Sequence, residues 1–460
     1  MTAVGHYDVI VMGGGPGGYI AGERLSHAGL KVLVAEKDSL GGTCLNVGCI
    51  PTKSLLNGAK LYAHALHGAQ FGVTASGVAY DWPAMQAWKA KTVDTLVGGV
   101  GAMLKRLKCD VVKGHATLVG PGKVEVDGEL HTAEHVIIAT GSEPVMPPFP
   151  GTQDNPKVID STGMLAMDEV PQRLAVIGGG VIGVEFASLF AALGTQVTVI
   201  EMMDEICPFM DAEVAGALRK GIEGDVTFHL GSTVTAVEEA NVVFTTKAGE
   251  EQRIEADVVL MAVGRRPLVA GWGAEEAGLD VSRFGVVVDD RMRTNLPNVW
   301  AVGDVTGRSL LAHAAYRMGE IASAHIIDTT AATKAGQVMR WHTIPWAVYS
   351  LPEAAGVGLT EKQAGERYGE VVTASVPLVL SGRFVAENGT KAPGMVKVVA
   401  DAATRTVRGV HMLGTYAPET IWGAATALET ELSIDDLRQV VFPHPTVSEG
   451  IREAVWAVRG

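Results

Sequence analysis

DVIVMGGGPGGYIAGERLSHAGLKVLVAE, residues 8–36, reads as a strand, a glycine-rich turn, a helix and a second strand. Gly13, Gly15 and Gly18 stand where a dinucleotide-binding turn needs them. The first allows the tight turn, the second lets backbone approach a pyrophosphate, and the third seats the helix on the strand, so the helix N-terminus faces the phosphates. Glu36 ends the second strand, where a carboxylate meets a ribose hydroxyl. A lone glycine fingerprint is weak, because such turns also simply pack helices on strands. Strand, helix, strand and terminal acid together make the reading specific.

The pattern recurs 165 residues later. RLAVIGGGVIGVEFASLFAALGTQVTVIE, residues 173–201, sets Gly178, Gly180, Gly183, Gly194 and Glu201 opposite Gly13, Gly15, Gly18, Gly29 and Glu36. Two dinucleotide-binding folds in one chain are expected. Residues 174–194 are long and apolar enough to be mistaken for a membrane span, but Glu185 and the triple glycine favour a buried strand–helix unit. Glu201 can accept hydrogen bonds from a ribose diol and would repel a ribose phosphate, and the following EMMDEICPFMD holds no arginine, so this unit selects NAD over NADP. A weaker repeat, shifted by 123, links HVIIATGSEP (135–144) with VVLMAVGRRP (258–267): Gly141 answers Gly264, and Pro144 answers Pro267. VMPPFPG, 145–151, is a linker. TNLPNVWAVGDV, 294–305, offers another buried strand, so the chain is expected to return to its first domain there. Asp304 at its end is either a capping carboxylate or a cofactor ligand.

GGTCLNVGCIPTK, residues 41–53, holds two of the four cysteines. Residues five apart on a straight helix are separated by roughly 7.5 Å of rise, whereas disulfide Cα atoms stand about 4.4–6.8 Å apart. A Cys44–Cys49 bridge therefore requires irregular backbone. Asn46 and Gly48 tolerate left-handed conformations and can supply the turn, while Gly41 and Gly42 permit close approach to a neighbour. Taken alone, this spacing also suits a structural disulfide, half a metal site or two unrelated thiols. No second Cys-x-x-Cys or nearby histidine completes a zinc set. Cys109 and Cys207 read as small buried hydrophobes.

The composition of the 460 residues, 47% hydrophobic with 56 glycines, is that of a globular chain too long for one core. A net charge of −14 disfavours nucleic acid and anionic membranes as partners. The N-terminus shows neither a basic n-region nor an Arg-rich presequence, which predicts a cytoplasmic protein. From about residue 340 the texture changes: IPWAVYS, a polar helical stretch from Thr360, then MVKVVAD and RGVHMLG, whose alternation suggests an antiparallel sheet in an α+β domain. The chain closes on FPHPTVSEGIREAVWAVRG. Thr446 and Glu449 there read as a capping box, and His444, held between Pro443 and Pro445 five residues before that acid, as either a packing residue or half of a rigid histidine–carboxylate pair.

Together, GGTCLNVGCIPTK, the two glycine fingerprints, VGRRP, AVGD and HPTVSE resemble, in order and over essentially the whole chain, the pyridine nucleotide-disulfide oxidoreductases, and within them the dihydrolipoamide dehydrogenases. The resemblance implies an α/β fold with two Rossmann-like domains and a C-terminal α+β interface domain. Its domains would be 1–148 binding FAD, 149–268 binding NAD, 269–339 completing the FAD site, and 340–460 making a homodimer. It implies a redox-active Cys44–Cys49 disulfide, with Cys49 against the flavin and Cys44 exchanging with substrate. His444, oriented by Glu449, would serve the other subunit as acid–base catalyst, and Lys53 and Glu185 would pair beside the flavin.

FAD contacts are implied at Gly13, Gly15, Gly18 and Glu36; at Gly42, Thr43 and Lys53; at Gly114 and His115; at Thr140, Gly141 and Ser142; and at Gly303, Asp304, Leu311, Ala312 and His313. NAD contacts are implied at Gly178, Gly180, Val181, Ile182, Gly183, Glu201, Val234 and Gly264. No metal is implied. The expected reaction oxidises the dihydrolipoyl group of a 2-oxo acid dehydrogenase or related complex with NAD⁺. Glutathione reductases usually carry arginine where this chain has Glu23, Met202 and Met203, and mercuric reductases end in a vicinal cysteine pair where it has Val458-Arg459-Gly460. Phe442-Pro443 before His444 departs from the usual dihydrolipoamide dehydrogenase sequence. A flavin reductase for another small disulfide, or a non-catalytic flavoprotein scaffold, are the alternatives.

Overall fold

A computed structural model describes residues 3–239, 241–328 and 337–459. Gly460 and the end of the expected 269–339 domain, residues 329–336, lie outside the described residues. The chain divides into two compact units.

The first unit gathers Met1–Ser54, Pro83–Val145 and Gly264–Met339. Its sheet is built on β1 (Gly5–Met12), an apolar run whose residues 9–12 are all buried. β1 pairs in parallel with β2 (Val32–Glu36) on one side and with Glu129–Ile138 on the other, so Val9 faces both Val32 and His135. Asp110–Lys113 extends the sheet beyond β2, and Lys123–Val126 and Ala116–Gly120 extend the far side antiparallel. Val299–Ala301 runs parallel to Val136–Ile138, so the chain does return to this sheet. Ile10, Met12, Leu33, Val136, Ile138 and Val299 form its core with Trp272, each large side chain contributing about 1.5–3 kcal/mol. Between β1 and β2, α1 (Pro16–His27) begins with proline at its first position, where the missing N–H costs nothing. The short α2 (Gly42–Asn46) and the long α3 (Cys49–His67) follow β2.

The weak repeat acquires a meaning here. Ser142–Pro144 and Arg265–Pro267, equivalent positions in the 123-residue repeat, pair with each other as an antiparallel ribbon at the two points where the chain passes between units.

The second unit gathers Leu55–Trp82, Met146–Val263 and Arg340–Gly460. Its parallel sheet runs in the order Val226–His229, Gln196–Ile200, Arg173–Ile177, Val258–Met261, Val158–Ile159. The stretch that scanned as a membrane span is the strand Arg173–Ile177 and the helix Val181–Ala192. Among the described residues no helix is long and apolar enough to cross a membrane. The C-terminal part is a five-stranded antiparallel sheet that includes Met395–Asp401 and Val407–Leu413, with the helix Glu361–Tyr368 capped by a Thr360–Gln363 box. Val184, Val214 and Leu218 share one core with Val348, Ala354 and Leu413, which ties this sheet to the nucleotide-type sheet.

Candidate active site

Cys44 lies in the middle of α2 and Cys49 opens α3, so the interruption between the helices brings together two residues that a continuous helix would separate. The left-handed residues are not the expected Asn46 and Gly48 but Gly41 (φ 90°) and Gly42 (φ 53°). Gly42 is held there by crowding, since a Cβ would stand 2.7 Å from the Gly15 Cα. Asn46 acts through its side chain, donating to the Leu40 and Gly42 carbonyls at 3.0 and 2.9 Å. Gly48 is needed because a Cβ would meet the Thr43 carbonyl oxygen at 2.9 Å. Cys44 and Cys49 are not joined by a disulfide here and are hydrogen-bonded thiols. The bond to Cys49, then burial, push the Cys44 thiol well above its ordinary range, while the Lys53 ammonium opposes them. Cys109 and Cys207 are buried, and burial pushes the Cys207 thiol up to about 12.

The two glycine fingerprints are built alike. Gly13 (φ 108°) and Gly178 (φ 104°) turn in the left-handed region. A Cβ on Gly18 would lie 1.9 Å from the Gly13 carbonyl oxygen, and one on Gly183 would lie 2.0 Å from that of Gly178. Each turn is tied to the acid that ends the next strand: Gly14 N–H donates to Glu36 at 2.6 Å and Gly179 N–H to Glu201 at 2.5 Å. The second oxygens accept from Asp38 and Met203 N–H. Helix N-termini behind side-chain-free turns, each with a fixed carboxylate beside it, fit the pyrophosphate and ribose of FAD and NAD. Val181 and Ile182 open the helix after the second turn, and Val234 packs partly buried in the strand Thr233–Glu238.

The remaining FAD expectations divide. Ser142 donates to the Asp304 carboxylate at 2.6 Å, and burial raises this carboxyl against the pull of Ser142 and Arg265. Gly303 (φ 76°) precedes it, and Leu311 stands just before the helix Ala312–Ile327, whose second residue is the exposed His313. Thr140 and Gly141 bind the Leu268 backbone. Gly264 accepts from Val145 N–H. Gly114 N–H donates to the Glu36 carbonyl, and the His115 ring bonds the Gly271 carbonyl. Sequence reasoning missed Arg265, which donates to Ser142 Oγ at 2.9 Å, to its carbonyl at 2.8 Å, and to Thr43 Oγ1 at 3.4 Å. The repeat held the clue, because it aligns Arg265 with Ser142 itself.

In the second unit Glu185 is buried and accepts Tyr349 N–H at 3.0 Å. His444 Nδ1 and Glu449 Oε1 are 2.9 Å apart, as a histidine–carboxylate pair requires. The capping box is only half formed. Thr446 N–H donates to Glu449 Oε2 at 2.9 Å, but the helix starts at Glu449 and the Thr446 hydroxyl turns to Pro443 and Ser448. Glu449 is therefore anchored by backbone, which holds its carboxyl below the usual range against burial, with His444 helping. The His444 side chain is 77% exposed and that of Glu449 only 17%, so a firmly held imidazole is presented outward.

Residues 7–319 match the pyridine nucleotide-disulphide oxidoreductase family, and residues 344–455 match the dimerisation domain of that family. The chain is 41% identical to a dihydrolipoyl dehydrogenase of Thermus scotoductus over 98% of this chain and 97% of that one. It is 38% identical to one from Bacillus subtilis over 97% and 95%. Among solved structures it resembles the HOCl-induced flavoprotein disulfide reductase RclA from Escherichia coli, with 28% identity and a TM-score of 0.85 over 98% of this chain and 100% of that one.

Proposed function

Because the chain belongs to the pyridine nucleotide-disulphide oxidoreductase family, we propose that it oxidises a protein-bound dihydrolipoyl group to the lipoyl disulfide with NAD⁺ as acceptor. The observation that carries this reading is the Cys44–Cys49 thiol pair, set on the break between α2 and α3 beside the first glycine turn. Bound FAD would supply the two-electron chemistry that links the reduced thiols to NAD⁺.

This chain's own residues supply the sulfur and proton chemistry. With Nδ1 held by Glu449, His444 Nε2 is left to take the proton of a substrate thiol. The substrate thiolate attacks Cys44 Sγ of the oxidised pair, the Cys44–Cys49 bond breaks, and Cys49 leaves as thiolate. The second substrate thiol then releases its proton to solvent and attacks the first substrate sulfur, which closes the lipoyl disulfide and releases Cys44. His444 returns its proton to Cys44. In this reading Lys53 and Glu185 pair beside the flavin, and Ser142, Asp304 and the glycine turn hold it.

The homodimer forms through the family's dimerisation domain, on which Trp422 and Val441 are exposed. His444 serves the thiol pair of the partner subunit, which agrees with its outward presentation. The lipoyl carrier would belong to a 2-oxo acid dehydrogenase or related complex. A working thiol pair and an acidic surface suit the cytoplasm. A reductase for another small disulfide is the second reading, favoured by the likeness to RclA.

The test is a panel on the flavin-loaded protein: NAD⁺ or NADP⁺ with dihydrolipoamide, and NADH with lipoamide, glutathione disulfide or cystine. Dihydrolipoamide with NAD⁺ should dominate. NADP⁺ should be worse by roughly 100-fold, the effect of about 3 kcal/mol of repulsion at Glu201. Faster turnover of another disulfide selects the second reading, and inactivity with every thiol returns the scaffold.

A further inference from the structure

The histidine–carboxylate pair is carried on a short loop, and the hydrogen bonds around Thr446 show what fixes it. Each polar group of Thr446 has a partner. Its N–H donates to Glu449 Oε2 at 2.9 Å, and its hydroxyl donates at 2.8 Å to the carbonyl of Pro443, the residue before His444. Glu449 Oε1 in turn stands 2.9 Å from His444 Nδ1. The backbone that carries the imidazole and the carboxylate that orients its ring therefore both hang on Thr446. The third group, the Thr446 carbonyl, accepts from Ser381 Oγ at 2.9 Å, and Ser381 lies 65 residues away in the chain.

Ser381 belongs to a closely packed segment. It is buried, and its oxygen accepts the Phe384 N–H at 3.3 Å as the cap of the helix Gly382–Asn388. A hydroxyl has one proton, and with a lone pair used for the cap the O–H is left to point at Thr446. Leu378 and Phe384, on either side of Ser381, are buried in the core of the C-terminal sheet. A Cβ on Gly394 would meet Phe384 at 2.7 Å, and one on Gly414 would meet Leu378 at 2.6 Å. Gly450, next after Glu449, is seated on the same Leu378, where a Cβ would stand 2.6 Å from its Cδ2. Residues 378–384 thus support the pair twice, beside Glu449 by packing and at Thr446 through the Ser381 hydroxyl.

We propose that Ser381 is a positioning residue for dithiol oxidation: acting through Thr446, it holds the Glu449 carboxylate and the His444 imidazole in one geometry. The inference rests on the reading of His444 as the group that takes the substrate proton. The His444 side chain is mostly exposed, so its orientation depends on the bond to Glu449 rather than on burial. Proton transfer needs its partners within hydrogen-bond reach, and a misplacement of about 1 Å can slow a reaction by about 100-fold. Loss of the Ser381 hydroxyl takes the partner from the Thr446 carbonyl and frees the loop to shift, carrying imidazole and carboxylate with it. Both thiols and both glycine turns stay as they are.

The experiment follows reduction of the flavin-loaded homodimer by dihydrolipoamide in stopped-flow absorbance. On the same samples it follows oxidation of NADH by ferricyanide, an acceptor that draws electrons from the flavin and needs no substrate thiol. Ser381→Ala should slow the first reaction by about ten-fold at saturating dihydrolipoamide, with half-saturation little changed, and leave the second at the wild-type rate. In a His444→Ala background the same change should add less than about two-fold, because the two residues act as one unit. A wild-type dithiol rate in Ser381→Ala overturns the proposal. An equal fall in both reactions overturns it too, as does a further loss of about ten-fold in the His444→Ala background. Should Ser381→Ala not fold, Ser381→Gly, which removes the hydroxyl at a smaller cost to the helix cap, is measured in its place by the same criteria. A His444→Ala protein that is reduced by dihydrolipoamide as fast as the wild type overturns the reading of His444, and the proposal with it.

Discussion

Cys44 and Cys49 are the same residue type in different surroundings, one within α2 and one at the start of α3. The hydrogen bond to Cys49, then burial, push the Cys44 thiol well above its ordinary range. This predicts distinct outcomes for the two serine variants. Cys44→Ser should lose dithiol oxidation by about three orders of magnitude, the scale of losing a nucleophile, yet show a permanent long-wavelength band from the Cys49 thiolate against the flavin. Cys49→Ser should lose activity to a similar degree and show no such band. Absorbance spectra with steady-state assays check both, and the reverse pattern would exchange the roles of the thiols.

At the scale of elements, one buried ionic node joins four pieces of the second unit. Asp211 caps the helix Ala212–Ile222, and Lys397 on Met395–Asp401 reaches it at 2.9 Å, Glu361 at 2.7 Å and Glu213 at 3.3 Å. Burial alone would raise the Asp211 carboxyl, but Lys397 and the Glu361 N–H hold it below the usual range. His411, on Val407–Leu413, is buried beside this node, its Nε2 3.0 Å from the Leu359 carbonyl oxygen and its Nδ1 without a partner among the described residues. Burial holds its imidazole below the ordinary range against the pull of Asp211. The folded state then binds fewer protons than the unfolded one. Its contribution to stability is complete above the unfolded value of about 6.5 and is lost as pH falls through it, by at most about 1.4 kcal/mol per pH unit. The thermal midpoint should drop from pH 7 to pH 5.5, and His411→Gln should flatten that drop; an identical slope in the variant would dismiss His411 as its source. None of this node was legible in the sequence, because its members lie far apart in the chain and no local pattern joins them. The glycine turns and terminal acids were legible because their spacing is set by one continuous strand–turn–helix–strand. At Thr446 the local pattern was right in its acid and misplaced in its helix start, since Glu449 also serves His444.

For the whole molecule, the exposed His444 and the dimerisation domain lead to a test of shared sites. Homodimers of Cys44→Ser and of His444→Ala should each be severely impaired. A mixed dimer of the two holds one site with both groups intact, so dissociating and reassociating the inactive proteins together should recover activity, each mixed dimer contributing one working site. Verified mixed dimers without recovered activity would rule out sharing across subunits. The strand Val299–Ala301, which closes onto Val136–Ile138, carries a further consequence, for biosynthesis. A ribosome must add about 160 residues after Ile138 before that strand exists, which at about 5–20 residues per second takes roughly 8–32 seconds. During that interval the nascent chain carries a nucleotide-binding sheet with one position unfilled and hydrophobic side chains that await their neighbour. Chaperone protection should therefore be needed chiefly while residues 139–298 are being translated, and release from it should follow the emergence of Val299–Ala301 from the exit tunnel.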